Sequence, residues 1–306
     1  MNCLEALYLQ DIEKGDFEVV VVSDGRDPMT ETAVARWHAG RPDMQLRFLA
    51  TPLKKGPAAA RNMGWSNAQH PLIAFTDDDC LPASGWLQAF ARHYDGGAHL
   101  AMTGKVRVPL PSRPTDFAWN TAQLQTAEFV TANCCCSKAA LQLVGGFDEA
   151  FGAAWREDSE LQFKFITRGI PIIPAHEAVV WHPVRNAPWG VSVREQRKGQ
   201  YNALLYKKFP DLFRKKIQPR PAWLYYLTVA LFLLGAVALV AEVSFLFLIA
   251  LTGWLTCTGA IVWKRLGPTS KSASHIAEMV TTSIIIPFVS LYWQWYGAVK
   301  YRVLLF

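Results

Sequence analysis

Leu72-Ile73-Ala74-Phe75-Thr76-Asp77-Asp78-Asp79 is the stretch on which the reading of this chain turns. An apolar run this short, preceded by Pro71, fits a strand buried on both faces. Its end carries three consecutive carboxylates. Alternation along a strand puts Asp77 and Asp79 on one side and Asp78 on the other. Crowded like charges destabilise the strand end unless a cation or basic partner offsets them. A hard divalent cation bound to diphosphate wants such oxygen ligands and keeps positions open for phosphate. A solvated acidic turn is the plain alternative, and the buried strand delivering the triplet weighs against it.

Upstream, Phe17 to Val22 forms a second apolar run that ends at the turn Ser23-Asp24-Gly25. A helix is predicted from about Thr30 to His38, a strand at Leu46–Leu49, and a helix opened by Pro57. Strands alternating with helices predict an α/β domain with a mostly parallel, Rossmann-like sheet covered on both faces. Ligands of such sheets bind at the carboxyl ends of the strands, where Asp24 and the acidic triplet both fall. Downstream, strands are predicted at Ala98–Thr103 and Phe129–Asn133, and a helix at Trp155–Arg168 with Glu157 and Asp158 in its first turn.

The chain has 306 residues and is 51% hydrophobic, with the apolar excess concentrated after Trp223. Trp223–Ala241 and Val243–Trp263 are each long enough to span a bilayer, with Glu242 between them as a tight turn. A third apolar stretch, from Met279 to about Trp295, spans or lies in the interface. Basic residues precede the first span (Lys207, Lys208, Arg214, Lys215, Lys216, Arg220) and follow the second (Lys264, Arg265, Lys271). The positive-inside rule then places the soluble domain in the cytosol, on the inner face of the plasma membrane. The formal charge of +6 belongs largely to this juxtamembrane cluster, which suits anionic lipid, and no nucleic-acid-binding signature accompanies it. The six cysteines lack zinc-type spacing and are expected to be small buried hydrophobes in a reducing compartment. Residues 1–16 lack the apolar core of a cleavable signal peptide. The expected domains are 1–193 catalytic, 194–221 a basic interfacial linker helix, and 222–306 in the membrane.

These motifs together resemble the family 2 inverting glycosyltransferases of GT-A fold. Val21 to Gly25, Gly56 to Gly64, Asp77-Asp78-Asp79, Asn133 followed by Gly145 to Asp148, and Trp155 to Leu161 stand in that family's order. The resemblance implies a nucleotide-sugar donor, a lipid-linked or glycan acceptor and a divalent cation, Mg2+ or Mn2+. It implies that Asp24 contacts the base or ribose, that Gly56 and Arg61 approach the diphosphate, and that Asp79 ligates the metal with Asp77 or Asp78 assisting. Asp158 becomes the base that takes the acceptor proton, with Glu157 as its substitute. His182 is a metal ligand or else a buried structural histidine. Lys54 and Lys55 are the fallback phosphate holders if no metal is used.

The chain departs from the family in two places. Processive members carry Gln-x-x-Arg-Trp before their membrane helices, whereas here Gly199 and Gln200 follow Arg197-Lys198. Transfer of a single sugar is therefore expected. The resemblance also places an apolar strand ahead of the helix matching Cys3 to Gln10, between the strands ending at Asp24 and Asp77. Met1 stands at that helix's start. A gap or a closed-up sheet is expected there. The competing functions are an inactive, truncated transferase-like scaffold in the membrane and, less favoured, a nucleotidyltransferase, whose Gly-rich basic loop is missing.

Overall fold

A computed structural model describes residues 1–97 and 99–304. The chain forms two compact units: Met1–Pro109 with Ala122–Val184, and Leu110–Thr121 with the chain from Arg185 on. The expected boundary at 193 thus moves to 184, and residues 110–121 leave the first domain for the second.

The first unit contains α1 (Asn2–Tyr8), β1 (Val19–Ser23), α2 (Pro28–Ala39), β2 (Leu46–Ala50), α3 (Pro57–Asn67), β3 (Leu72–Thr76), β4 (Leu81–Pro82), α4 (Trp86–Arg92) and β5 (Ala101–Arg107). After an excursion into the other unit as α5 (Asp116–Thr121), it resumes with β6 (Asn133–Ser137), α6 (Lys138–Val144), α7 (Glu157–Thr167) and β7 (Ile172–Trp181). Local chemistry sets the helix ends. Asp27 accepts from the backbone N–H groups of Met29 (3.1 Å) and Thr30 (3.3 Å), which starts α2 at Pro28, before the predicted Thr30. Ser137 caps α6, and Gly145 at φ +77° ends it.

The strands fall into two sheets. β1 and β2 pair in parallel from Val19↔Leu46 to Ser23↔Ala50. The other five run in the order β3-β6-β5-β7-β4. Only β5–β7 is parallel in this second sheet, since β6 runs antiparallel to both β3 and β5 and β4 antiparallel to β7. Parallel pairing is thus less extensive than the early strand–helix alternation implied. The core between this sheet and its helices gathers Ile73, Phe75, Leu141, Phe147, Leu161 and Phe165, with Phe75 meeting Phe147 edge-on at 5.4 Å.

The strand predicted at Phe129–Asn133 forms four residues later, at Asn133–Ser137. Its middle is Cys134-Cys135-Cys136, each at 0% exposure. Small apolar thiols suit a strand covered on both faces, so the cysteines take the place the aromatic and β-branched residues were expected to hold. Asn133 donates to the carbonyls of Lys105 (3.1 Å) and Ala178 (2.8 Å) and accepts from the Trp86 indole (2.8 Å). It pins the sheet where β5 and β7 slip register between Thr103 and Lys105. A Cβ on Gly104 would lie 2.3 Å from Asn133 Oδ1, so glycine is required there. Asn133 is therefore a structural pin and not part of an acceptor loop. The predicted strand at Ala98–Thr103 appears as Ala101–Arg107, Ala98 itself lying outside the described residues.

The second unit comprises α5, α8 (Val191–Glu195), a 3-10 turn at Gln196–Gly199, α9 (Gln200–Lys208), α10 (Pro210–Lys216), α11 (Trp223–Val240), α12 (Ser244–Leu266) and α13 (Ala273–Tyr301). The last three, of 18, 23 and 29 residues, have mean hydropathies of 2.2, 2.0 and 1.5 and are long and apolar enough to cross a membrane. The third apolar stretch is one continuous helix. The expected linker helix is broken into α8, α9 and α10, and α9 packs on α13. Gly297 permits the approach, because a Cβ there would meet the Gln200 carbonyl at 2.5 Å.

Candidate active site

Asp24, at the end of β1, accepts from the backbone N–H groups of Lys55 (2.8 Å) and Gly56 (2.9 Å), one on each carboxylate oxygen. It thereby fixes the loop that opens α3. Gly56 has φ +103°, and a Cβ there would stand 2.7 Å from the Gly152 backbone. Both residues expected at the donor thus brace the loop. The Lys55 ammonium lies 3.8 Å from Glu149 on the surface.

The braced loop aims α3 so that Arg61 reaches across the site. Its Nη2 donates to Asp77 at 2.9 Å and its Nη1 to Glu157 at 3.0 Å, with 15% of the side chain exposed. The guanidinium joins two carboxylates, where the family resemblance aims it at diphosphate. Asn62 donates to the Phe147 carbonyl (2.9 Å) and accepts from its N–H (2.9 Å), tying α3 to the segment before α7.

At the end of β3, ligand atoms of Asp77, Asp79, Cys80 and His182 all lie within 4.8 Å of one another. His182, whose N–H donates to the Arg107 carbonyl at 2.8 Å, places Nε2 3.8 Å from Asp79 Oδ1. The donor set fits a hard or borderline divalent cation: two carboxylates and an imidazole converge at a carboxyl strand end. Asp78 is exposed and faces a cavity beside β3. Cys80 escaped the sequence reading, which classed every cysteine as a packing residue, although its place directly after the triplet was the available signal. Burial, then Asp77 and Asp79, push its thiol pKa well above the ordinary range, so it borders the site as neutral S–H.

The acidic start of α7 completes the arrangement. Glu157 is 3% exposed, and its Oε2 has no hydrogen-bond partner among the described residues. Burial and then the neighbouring Asp158 charge raise its pKa from 4.5 to about 7. Asp158 is also raised, chiefly by burial, while its Oδ1 accepts from the Ser159 N–H at 2.6 Å and hydroxyl at 3.3 Å. Arg156 precedes the pair in a left-handed conformation, φ +76°, with its guanidinium over the Trp155 ring at 4.6 Å.

Fold and site together define a GT-A domain followed by helices long and apolar enough for a membrane. Residues 2–145 match the family described as Glycosyl transferase family 2, and the domain belongs to that family. A pre-mycofactocin glycosyltransferase of Mycobacterium tuberculosis is 28% identical over 209 residues, covering 63% of this chain and 43% of the relative. Glycosyltransferase AglE of Haloferax volcanii is 31% identical over 114 residues, 37% of either chain. The chain thus spans less than half the length of these relatives. Among solved structures, the mannosyltransferase PcManGT from Pyrobaculum calidifontis, in complex with GDP-Man and Mn2+, superposes with a TM-score of 0.55 at 20% identity. That likeness, over 98% of this chain and 82% of the other, is one of fold.

Proposed function

We propose that this protein is a metal-dependent inverting glycosyltransferase that moves one sugar from a nucleotide-diphosphate donor to a membrane-associated acceptor, lipid-linked or glycan. The observation that carries the reading is the convergence of Asp77, Asp79 and His182 at one strand end, linked through Arg61 to the Glu157-Asp158 helix start. Asp77, Asp79 and His182 would hold the cation, which when bound offsets the charge growing on the departing diphosphate. Asp158 takes the proton of the acceptor hydroxyl as that oxygen attacks the anomeric carbon and the bond to the diphosphate breaks. Its raised pKa makes it a stronger base than a solvated carboxylate. The hydrogen bonds from Ser159 hold Oδ1 and leave Oδ2 to the acceptor. Arg61 positions Asp77 against Glu157.

Three apolar helices support attachment to a bilayer. The basic residues flanking them favour a cytosolic catalytic domain at the inner membrane. The test is a donor screen in detergent with Mn2+ or Mg2+, scored by release of UDP, GDP or dTDP and repeated with chelator. Release from one donor, lost on chelation, is expected. Release unaffected by chelator would point to phosphate binding through Arg61 and Lys54 or Lys55. No release from any donor would favour the scaffold.

A further inference from the structure

β1 and β3 each have one edge that no strand covers: β1 pairs only with β2, and β3 only with β6, among the described residues. Between those edges lies a cavity of about 700 Å³ lined by Val19–Val22 and by Leu72 through Thr76. The ladder geometry identifies the groups that face it. Val19 N–H donates to Gln45, and Thr51 N–H donates to Ser23, so Val19, Val21 and Ser23 turn their backbone groups toward β2. Val20 and Val22 therefore turn theirs into the cavity. Lys138 N–H donates to Pro71, which assigns Ile73 and Phe75 to β6 and leaves Leu72, Ala74 and Thr76 facing the cavity. Two rows of amide groups thus confront each other across a slot.

The other walls are apolar: Leu4, Leu7, Trp86 and Phe90 on one side, Ala60 and Gly64 on the other. Water cannot serve such walls, and a lipid tail would leave both rows of N–H and C=O groups unmatched. An extended polypeptide satisfies both, with side chains toward the helices and backbone toward the strands. Its direction follows from the strand ends. Asp24 after β1 and Asp77 after β3 are both tied to the first turns of α3, through Gly56 and Arg61, so both strands end on the same side. The amino end of α1 lies there too, because Cys3 Sγ donates to the Asp77 carbonyl at 3.5 Å and Met1 lines the slot.

We infer that this slot is the seat of a further strand: an apolar segment covalently continuous with the amino end of α1, running parallel to β1 and β3 and ending at the metal-binding carboxylates. Filled, the slot would join the two sheets into one and place a new strand end beside Asp78. The inference rests on the sheet alone and stands whatever reaction the site performs.

Hydrogen exchange on the full chain in detergent tests it. In protein beginning at Met1, the amides of Val20, Val22 and Ala74 should exchange roughly a hundredfold or more faster than those of Val21 and Phe75. An extension of about seven Val/Ile-rich residues fused ahead of Met1 should slow them to match, while a Gly/Ser extension of equal length should not. Equal protection of both sets without any extension would overturn the inference. So would protection that rises with protein concentration, which would make a second copy the occupant. Independently of any designed extension, protein isolated from its own genomic locus through a carboxyl-terminal tag should yield a terminal peptide that starts upstream of Met1. A terminus at Met1 would overturn the inference.

Discussion

Arg61 in the sheet unit and Arg265 in the helical unit are both largely buried, and each holds a carboxylate, yet their surroundings differ. Arg265, in the last turn of α12, donates to Asp116 (2.8 Å), Ser192 (3.0 Å), Thr282 (2.7 Å) and Ser283 (2.9 Å). One carboxylate and three hydroxyls meet one guanidinium, and the set is matched. Arg61 meets two carboxylates, Asp77 and Glu157, with Asp79 and Asp158 one step further along the chain. Glu157 Oε2 is left orphaned there, and burial raises both acids of the pair. A matched buried network specifies structure, whereas a cluster with more acid than base has the character of a site that receives a cation or a proton.

The contrast can be broken most forcefully at Asp158. Asp158→Asn should cut turnover by about 10²- to 10⁴-fold while donor affinity persists, read from nucleotide release beside a donor-binding assay. Full turnover would assign the base to Glu157.

At the matched network, Arg265→Met should cost about 3–5 kcal/mol by stranding Asp116, measured by thermal unfolding in detergent. Replacing Asp116 by Leu in the same chain should recover most of the loss. An Arg265→Met protein as stable as the parent would show that the network is not structural.

The smallest expected effect sharpens the comparison through pH. Glu157 holds its proton up to about pH 7 when folded but only to about 4.5 as an ordinary carboxyl. Its contribution is therefore most favourable below pH 4.5, declines as pH rises toward 7, and is level above. At 1.36 kcal/mol per pKa unit this amounts to about 2–3 kcal/mol, partly offset by the hydrogen bond to Arg61. Glu157→Gln lacks the decline, so its melting temperature should gain on the parent's between pH 4.5 and 7. A difference that stays constant across that range would contradict the assignment.

The same contrast explains what could be read in advance. Leu72–Thr76 and the valine run of β1 were legible because a strand buried on both faces must be apolar throughout. The membrane helices were legible because hydrocarbon admits few polar residues over some 20 positions. Asp77, Asp79, Glu157 and Asp158 stood out as acids at strand and helix ends. Asn133 and Arg265 were misread, one as an acceptor residue and the other as a charge at the lipid surface, because each finds its partners far along the chain. Asp116, for example, lies 149 residues from Arg265. Cys80 was taken for packing because composition assigns a type to a cysteine and says nothing of its neighbours.

What the sequence determined by itself was therefore whatever depends on local solvent and periodicity: the α/β alternation, the acidic strand end, the apolar helices and the acidic opening of α7. Tertiary structure decided which charges neutralise one another. It bound Asp24 to the backbone of its own loop and Arg61 to two carboxylates, brought His182 beside Asp79, and left β1 and β3 facing each other across a slot. The reason is physical: patterning depends on each residue's exchange with solvent, whereas the charge and hydrogen-bond state of a buried group is set by whichever distant groups the fold carries within about 3–4 Å of it.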